Sequence, residues 1–301
     1  MIGIAGAGAW GKALGFVAEN AGHAVRFWAR GESPSALSGC GAVILAVPAQ
    51  AVREVLQIIT PGLSPSVPLI ISAKGIEQTS GLFMNEVVED VSPGARAMVL
   101  SGPSFAADVL KGLPTAVVLA GSQAEETHQW AQSLSLASFR IYSSDDVKGV
   151  EIGGALKNVL AIACGISDGR KLGDSARAAL TTRGFAELTR FGRRLGARPE
   201  TLTGLSGLGD LLLTCSSPQS RNYAFGRALG EGASVADALA RSRGVVEGAA
   251  TVKVAHRLAL THGVDMPIVV AVHAIVDGGA KPEDEIAQLL ARPAGAEHRK
   301  D

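Results

Sequence analysis

Ile2-Gly-Ile-Ala-Gly6-Ala-Gly8-Ala-Trp10-Gly11-Lys12 opens the chain. An apolar run that reads as a strand (2–5) ends in Gly6-x-Gly8-x-x-Gly11 and passes straight into a helix-forming stretch. Gly6 permits a tight turn, Gly8 removes the side chain where phosphates would approach, and Gly11 lets helix and strand pack closely. The helix start adds free amides and the positive end of the helix dipole. The spacing points to a dinucleotide-binding βαβ unit. A small-residue turn between strand and helix also forms without a ligand, so the rest of the chain must decide. The same residues read as G-x-x-x-x-G-K, the phosphate loop of nucleoside triphosphatases. That loop needs a Ser or Thr next to hold magnesium, and Ala13 follows here.

Outward from this turn, short β-branched runs alternate with helical stretches. Strands are expected near 2–5, 24–28, 42–47, 68–72, 97–101, 115–120 and 139–142, with helices near 9–21, 49–59, 81–90 and 123–135. Such alternation implies βαβ units and a parallel sheet. From about 147 onward the alternation stops and helical periodicity takes over, so the fold expected is α/β. A doubly wound sheet domain would cover 1–143 and an all-helical domain 144–301, with a polar, frayed tail from Arg292. One connection is short: only 11 residues, Gly31 to Gly41, separate the second strand from the third. A parallel crossover needs roughly 10 to 12 residues at minimum, so this link is nearly taut and holds a helical turn or two.

The bulk composition excludes several classes. At 301 residues and 47% hydrophobic, the chain can bury one large core or two. Lys plus Arg and Asp plus Glu balance at 28 each, with no basic block that would mark a nucleic-acid partner. No uninterrupted apolar stretch reaches the roughly 18 residues of a membrane span. The first strand starts at Ile2, which leaves no room for a signal peptide. Cys40, Cys164 and Cys215 are scattered, without Cys-x-x-Cys, as expected for reduced thiols in the cytoplasm and not for disulfides or zinc. No metal is expected.

Three stretches carry candidate chemistry. Glu151-Ile-Gly-Gly-Ala-Leu-Lys157-Asn-Val-Leu-Ala-Ile-Ala-Cys-Gly-Ile166 is apolar nearly all round, as a buried helix would be. Lys157 sits at its middle, between Gly154 and Ala161 on its own face. A lysine in such a groove is costly unless it is paired or neutralised, and the plain alternative is one that snorkels to solvent. Asp210, the only charge in Gly204-Leu-Ser-Gly-Leu-Gly-Asp-Leu-Leu-Leu-Thr-Cys215, is a partner candidate or a helix N-cap. Ser216-Ser-Pro-Gln-Ser-Arg-Asn222 gathers hydroxyls, an arginine and an amide, which suits an anion cradle or a surface turn. In the first half, Ser72-Ala-Lys74-Gly-Ile-Glu77 and Ser101-Gly-Pro-Ser104-Phe-Ala106 each follow a strand. Beyond the carboxyl ends of strands is where ligands lie in open α/β sheets. Phe27-Trp-Ala-Arg30 ends the second strand with a cation where an NAD-selective site has an acid. An arginine there favours a 2′-phosphate, so NADP is slightly favoured over NAD.

Taken together, GAGAWG (6–11), FWAR (27–30), SAKGIE (72–77), SGPSFA (101–106), EIGGALKNVLAIACGI (151–166), GLSGLGDLLLTC (204–215) and VVEG (245–248) resemble the NAD(P)-dependent glycerol-3-phosphate dehydrogenases of bacterial type. The long helical motif and GLGDLLLTC are the specific parts. The resemblance implies a Rossmann-type domain, a helical domain and an active site between them. It implies Lys157 as proton donor and acceptor with Asp210 beside it, and Lys74, Gly102 and Ser104 contacting substrate. Ser220, Arg221 and Asn222 would hold the substrate phosphate. Gly6, Gly8, Ala9, Trp10, Gly11, Arg30, Lys74, Ala106, Arg221, Val245 and Glu247 would line NADP or NAD. The implied reaction is reversible hydride transfer between the nicotinamide and dihydroxyacetone phosphate, in the cytoplasm, for glycerophospholipid synthesis. A homodimer is compatible with the sequence. Two departures stand out. That family usually has a few dozen residues in the second-to-third-strand link, bordering the adenine half of the cofactor, and Lys12 stands where it more often has a small hydroxyl residue. A β-hydroxyacid dehydrogenase of similar plan, or a non-catalytic NADP-binding sensor, are the alternative readings.

Overall fold

The structure, a computed structural model, describes residues 1–242 and 244–293; the expected tail lies outside the described residues from 294 onward. The first half contains β1 (Ile2–Ala5), α1 (Ala9–Asn20), β2 (Val25–Trp28), β3 (Ala42–Leu45), α2 (Val52–Ile59), β4 (Leu69–Ile71), α3 (Met84–Val91), β5 (Ala97–Ser101), α4 (Ala106–Leu110), β6 (Thr115–Gly121), α5 (Ala124–Ser133) and β7 (Phe139–Ser144). These strands form one sheet in the order β2-β1-β3-β4-β5-β6-β7. β1 is paired on both sides, Ile4 opposite Phe27 and Ile44, so its carboxyl end and the Gly6 turn open at the middle of a crevice.

Apolar residues of β1, β3, β4 and β5 point alternately to two cores. Ile2, Ile4, Ile44 and Ile70 meet Leu14 and Val17 of α1 on one face. Leu45, Ile71 and Val99 meet Leu56 of α2 and Val87 of α3 on the other. Helices therefore cover both faces, the doubly wound arrangement expected of such strands. The short link folds as one 3-10 turn, Pro34–Leu37, whose N-cap Ser33 accepts the Ser35 amide at 3.4 Å. Leu37 anchors it in the core, fully buried.

One expectation is corrected. β6 runs antiparallel to β5, with Met98 opposite Gly121 and Leu100 opposite Leu119, while β6 and β7 are parallel to each other. The chain between β5 and β6 contains only the five-residue α4. It turns the strand back instead of carrying it across the sheet face to the amino end.

The second half is helical: α6 (Val147–Gly169), α7 (Asp174–Arg194), α8 (Pro199–Leu202), α9 (Asp210–Ser216), α10 (Arg221–Gly230), α11 (Val235–Arg241), α12 (Glu247–His262), α13 (Pro267–Val276) and α14 (Pro282–Leu290). Asp146 caps α6, its Oδ1 accepting the Gly149 amide at 2.9 Å. From Gly149 to Ser167 every residue of α6 is buried. By length and hydropathy α6 matches a membrane span, but its most apolar window lies wholly inside the protein.

Glycines let other helices reach α6 backbone to backbone. A methyl group at Gly165 would lie 2.1 Å from the Tyr223 carbonyl oxygen of α10, and one at Gly226 would lie 2.1 Å from the Ile162 oxygen of α6. The three cysteines are buried free thiols.

Candidate functional site

The turn after β1 has the shape its glycines suggest. Gly6 has φ +114°, and a methyl there would sit 2.5 Å from the Ala46 carbonyl oxygen; at Gly11 it would sit 1.9 Å from the Gly6 oxygen. At Gly8 it would meet nothing within 4 Å, so open space lies in front of that residue. Gly8 is the N-cap of α1, with no side-chain cap and no acid in the first turn. Its leading amides are thus left for an outside acceptor. Ala9 is exposed at the helix start, while Trp10 and Ala106 pack against the adjoining core.

The titratable centre lies where β4, β5 and α6 converge. Lys157 donates to Asp210 Oδ1 at 2.6 Å and to Thr214 Oγ1 at 2.9 Å. Lys74, on the loop after β4, donates to Asp210 Oδ2 at 2.7 Å and to the Gly102 carbonyl at 2.9 Å. One carboxylate therefore bridges two ammonium groups. Thr214 Oγ1 closes the ring onto Asp210 Oδ1 at 3.2 Å, because positions i and i+4 of a helix share a face. Asp210 is 1% exposed and Lys157 7%, whereas the Lys74 side chain keeps 16%. Lys157 does not snorkel. Gly154 gives Ser101 its room, since a methyl there would lie 2.8 Å from Ser101 Oγ, while it would only touch Lys74 Cγ at 3.5 Å.

Asp210 reaches this place through an irregular turn. Leu205–Gly209 is a π-helical turn, and Asp210 is the first residue of α9. The carboxylate serves the two lysines and caps nothing, which removes the N-cap alternative. A methyl on Gly153 of α6 would lie 2.6 Å from the Ser206 carbonyl oxygen, so α6 presses directly on the π turn.

Burial pushes the Lys157 ammonium down to about 8; Asp210 pulls the other way and Lys74 adds to the depression. For Asp210, burial favours the neutral acid, but the charges of Lys157 and Lys74 outweigh it and hold its carboxyl below the ordinary value. The cluster carries two cations and one anion, a net positive pocket suited to an anionic ligand and to negative charge growing on a carbonyl oxygen.

A second chain of bonds extends from it. Asn158 donates to the Lys74 carbonyl at 3.2 Å and accepts from Asn222 Nδ2 at 2.8 Å; Asn222 Oδ1 accepts the Gly248 amide at 2.8 Å. Ser220 caps α10 through the Tyr223 amide at 3.3 Å. Arg221 is exposed at the start of α10, close under Gly244. Glu247 Oε1 accepts the Ala49 amide at 3.1 Å, tying α12 to the segment after β3. Its Oε2 is buried without a partner, and burial pushes its carboxyl up to about 7. The glycine turn open at Gly8 fits the pyrophosphate of an extended polar cofactor, and this orphaned oxygen beside the Lys74 loop fits one of its ends.

Ser104 donates to the Gly102 carbonyl at 3.1 Å, which joins it to the Lys74 ligands. Arg30 is not joined to the cluster: exposed past the end of β2, it pairs with Glu54 at 2.8 Å. Val245 is 44% exposed. Thr214 and Asn158 were not among the expected site residues. Thr214 is signalled by its i+4 spacing from Asp210, and Asn158 by its place beside Lys157.

Comparison with known proteins shows the family. The family profile described as the N-terminus of NAD-dependent glycerol-3-phosphate dehydrogenase matches residues 32–127, and the C-terminal profile matches 146–287. A glycerol-3-phosphate dehydrogenase [NAD(P)+] of Methylobacterium radiotolerans is 51% identical over 326 aligned positions, covering 98% of each chain. That of Azorhizobium caulinodans is 49% identical, also over 98% of each. A crystal structure of glycerol-3-phosphate dehydrogenase from Coxiella burnetii superposes with a TM-score of 0.93 at 36% identity, covering 97% of this chain and 98% of that one. D-mandelate dehydrogenase, at 16% identity and TM-score 0.65, shares the fold alone. With two profiles spanning most of its length and full-length relatives near half identity, the chain belongs to the NAD(P)-dependent glycerol-3-phosphate dehydrogenase family.

Proposed function

We propose that the chain interconverts dihydroxyacetone phosphate and sn-glycerol 3-phosphate with NADPH or NADH, in a crevice between a sheet domain (1–143) and a helical domain (144–301). The observation that carries this reading is the Lys157–Asp210–Lys74 bridge in a chain of this family. Lys157 is the general acid of ketone reduction and the base of alcohol oxidation. Asp210 fixes its ammonium, and Thr214 takes a further proton of Nζ so that the remaining one is aimed. Lys74, Gly102 and Ser104 face the substrate; Ser220, Arg221 and Asn222 receive its phosphate.

Gly6, Gly8, Ala9, Trp10, Gly11, Arg30, Ala106, Val245 and Glu247 hold the dinucleotide together with Lys74 and Arg221. When bound, its nicotinamide supplies the hydride. As negative charge grows on the ketone oxygen, Lys157 passes it a proton, and Lys74 stabilises it electrostatically. Proton transfer of this kind contributes typically about 10²–10⁴ in rate. Arg30 favours NADPH, with Glu54 holding the guanidinium until a 2′-phosphate replaces it. The setting is cytoplasmic and the product serves phospholipid synthesis.

The decisive experiment is nicotinamide oxidation by purified protein with dihydroxyacetone phosphate, compared with dihydroxyacetone and with both cofactors. The expected result is turnover with the phosphorylated ketone only, faster with NADPH at equal subsaturating concentration. Tight cofactor binding without turnover would make the chain a sensor, and preference for an unphosphorylated hydroxy acid would reassign the substrate.

A further inference from the structure

Lys74 holds its ammonium on Asp210 from a segment that is neither helix nor strand. Between β4 and α3 the chain forms one isolated bridge, Ile76 opposite Phe83. Before Lys74 the segment is fastened by Ser72, whose hydroxyl donates to the Leu45 carbonyl at 2.8 Å. After it, three consecutive residues are held from one neighbouring element. Gln50, in the 3-10 turn Ala49–Ala51 that leads into α2, donates its side-chain amide to the Ile76 carbonyl at 2.8 Å and accepts the Gln78 amide at 2.9 Å. Arg53, three residues on along the same face, grips Glu77 with two parallel bonds of 2.9 Å, Nε to Oε1 and Nη2 to Oε2. Its remaining Nη1 donates to Asp90 of α3. Glu77 is buried, and the Arg53 guanidinium holds its carboxyl below the ordinary range. A methyl on Gly75 would lie 2.8 Å from Ala49 Cβ, so the segment also rests directly on this turn. Val52, Val55, Leu56 and Ile59 carry the packing of α2, and Gln50 and Arg53 stand outside that set.

We propose that Gln50 and Arg53 are positioning residues of the site: by clamping Ile76, Glu77 and Gln78 they set the backbone from which Lys74 reaches Asp210 and the Gly102 carbonyl. The proposal rests on the reading of Lys74 as the cation that faces the substrate. Without the clamp, Lys74 withdraws from the carboxylate toward water, with two consequences. The charge that stabilises the ketone oxygen is misplaced, and a displacement of about 1 Å costs on the order of a hundredfold in rate. Lys157 is affected as well. The charged and titratable groups that face it are Asp210 and Cys215 of α9, which favour its ammonium, and Lys74, which opposes it. Withdrawal of Lys74 therefore leaves Lys157 protonated to higher pH.

The test compares dihydroxyacetone phosphate reduction across pH in the parent, Gln50→Ala, Arg53→Ala and Arg53→Lys, and repeats the two alanine substitutions in a Lys74→Ala background. In the parent background each alanine variant is expected to lower kcat by about tenfold, with the alkaline limb moved to higher pH. Arg53→Lys keeps the charge but not the fork, and recovers part of the rate. In the Lys74→Ala background neither alanine substitution costs anything further, because residues that act through one another are not additive. An alkaline limb that stays in place would overturn the proposal, as would a full tenfold loss that persists without Lys74. Weakened folding alone produces neither the displaced limb nor the vanishing loss. Should Arg53→Ala fail to fold because Glu77 is left buried and unpaired, Gln50→Ala decides, since it strands no charge. If the parent does not turn over, it is the reading of the reaction that fails. The titration of Lys157, followed by NMR in the same variants, then decides on the clamp alone: an upward shift supports it and an unchanged value overturns it.

Discussion

Lys157 is held by opposing forces, and each can be removed separately. Replacing it with Ala deletes the proton donor and leaves the glycine turn intact. The expected outcome is a kcat at least a hundredfold lower with unchanged affinity for NADPH, measured by steady-state kinetics beside fluorescence titration. Because burial sets its ammonium near 8, ketone reduction should decline as pH rises through about 8, where the acid is lost. Asp210 is the group that resists this depression, so in Asp210→Asn the alkaline limb of the residual activity should move to lower pH. A limb that stays in place would mean that some other group limits the reaction. At this scale the sequence was informative where charge is rare: Lys157 and Asp210 are lone charges in apolar runs. Thr214 is one hydroxyl among many, and only the helix that puts it a turn from Asp210 marks it. Arg30 shows the converse case, since its partner Glu54 lies on α2, beyond the reach of any local pattern.

Between elements, glycines set the spacing. On α6 and α10 they face each other so closely that carbonyl oxygens occupy the places where methyl groups would go. Gly226→Ala must push backbone against backbone, and a destabilisation of about 3 kcal/mol is expected in chemical denaturation, as for an overpacked core. Gly184→Ala is the contrast: there the atoms nearest the added methyl belong to the Leu160 side chain, Cδ2 at 2.7 Å and Cγ at 3.3 Å, and a side chain yields more readily than backbone. Equal losses in the two variants would refute the backbone argument. The burial of α6 was legible from the nearly all-round apolar stretch 151–166, but its full extent, Val147–Gly169, was not. The π turn before Asp210 was not, because Gly-Leu-Ser-Gly-Leu-Gly is compatible with a loop, a cap or a helix start, and only contact with Gly153 and α8 selects among them.

Across the whole molecule, buried carboxyls link folding to pH: Glu247 of the site, and two that lie away from it. Glu151 of α6 accepts the Asn85 amide at the start of α3 at 2.8 Å, and burial pushes it up to about 8 from 4.5. Glu187 of α7 accepts the Ile268 and Val269 amides at the start of α13, and burial pushes it up to about 7. Both hold a proton in the folded state that the unfolded chain releases, so the folded state binds more protons between these values. Their contribution is full below about pH 4.5 and is lost as pH rises through 7 and 8. Melting temperature should therefore fall over this interval, and Glu151→Gln should flatten the slope; a slope unchanged in that variant would assign it to other groups. The positions of all seven strands followed from the sequence, but the direction of β6 did not. Strand polarity depends on where the connecting chain travels, and a five-residue helix between β5 and β6 carries no hydrophobic pattern that reveals its route.

The enclosure of α6 has a last consequence. From Gly149 to Ser167 its residues are buried, so opening the helix that bears the reactive amine must break its packing against the other helices. Loss of catalytic competence on heating should coincide with cooperative melting of the entire helical half. During synthesis the ribosome must release the chain past Asp210 before the ammonium–carboxylate pair can exist at all.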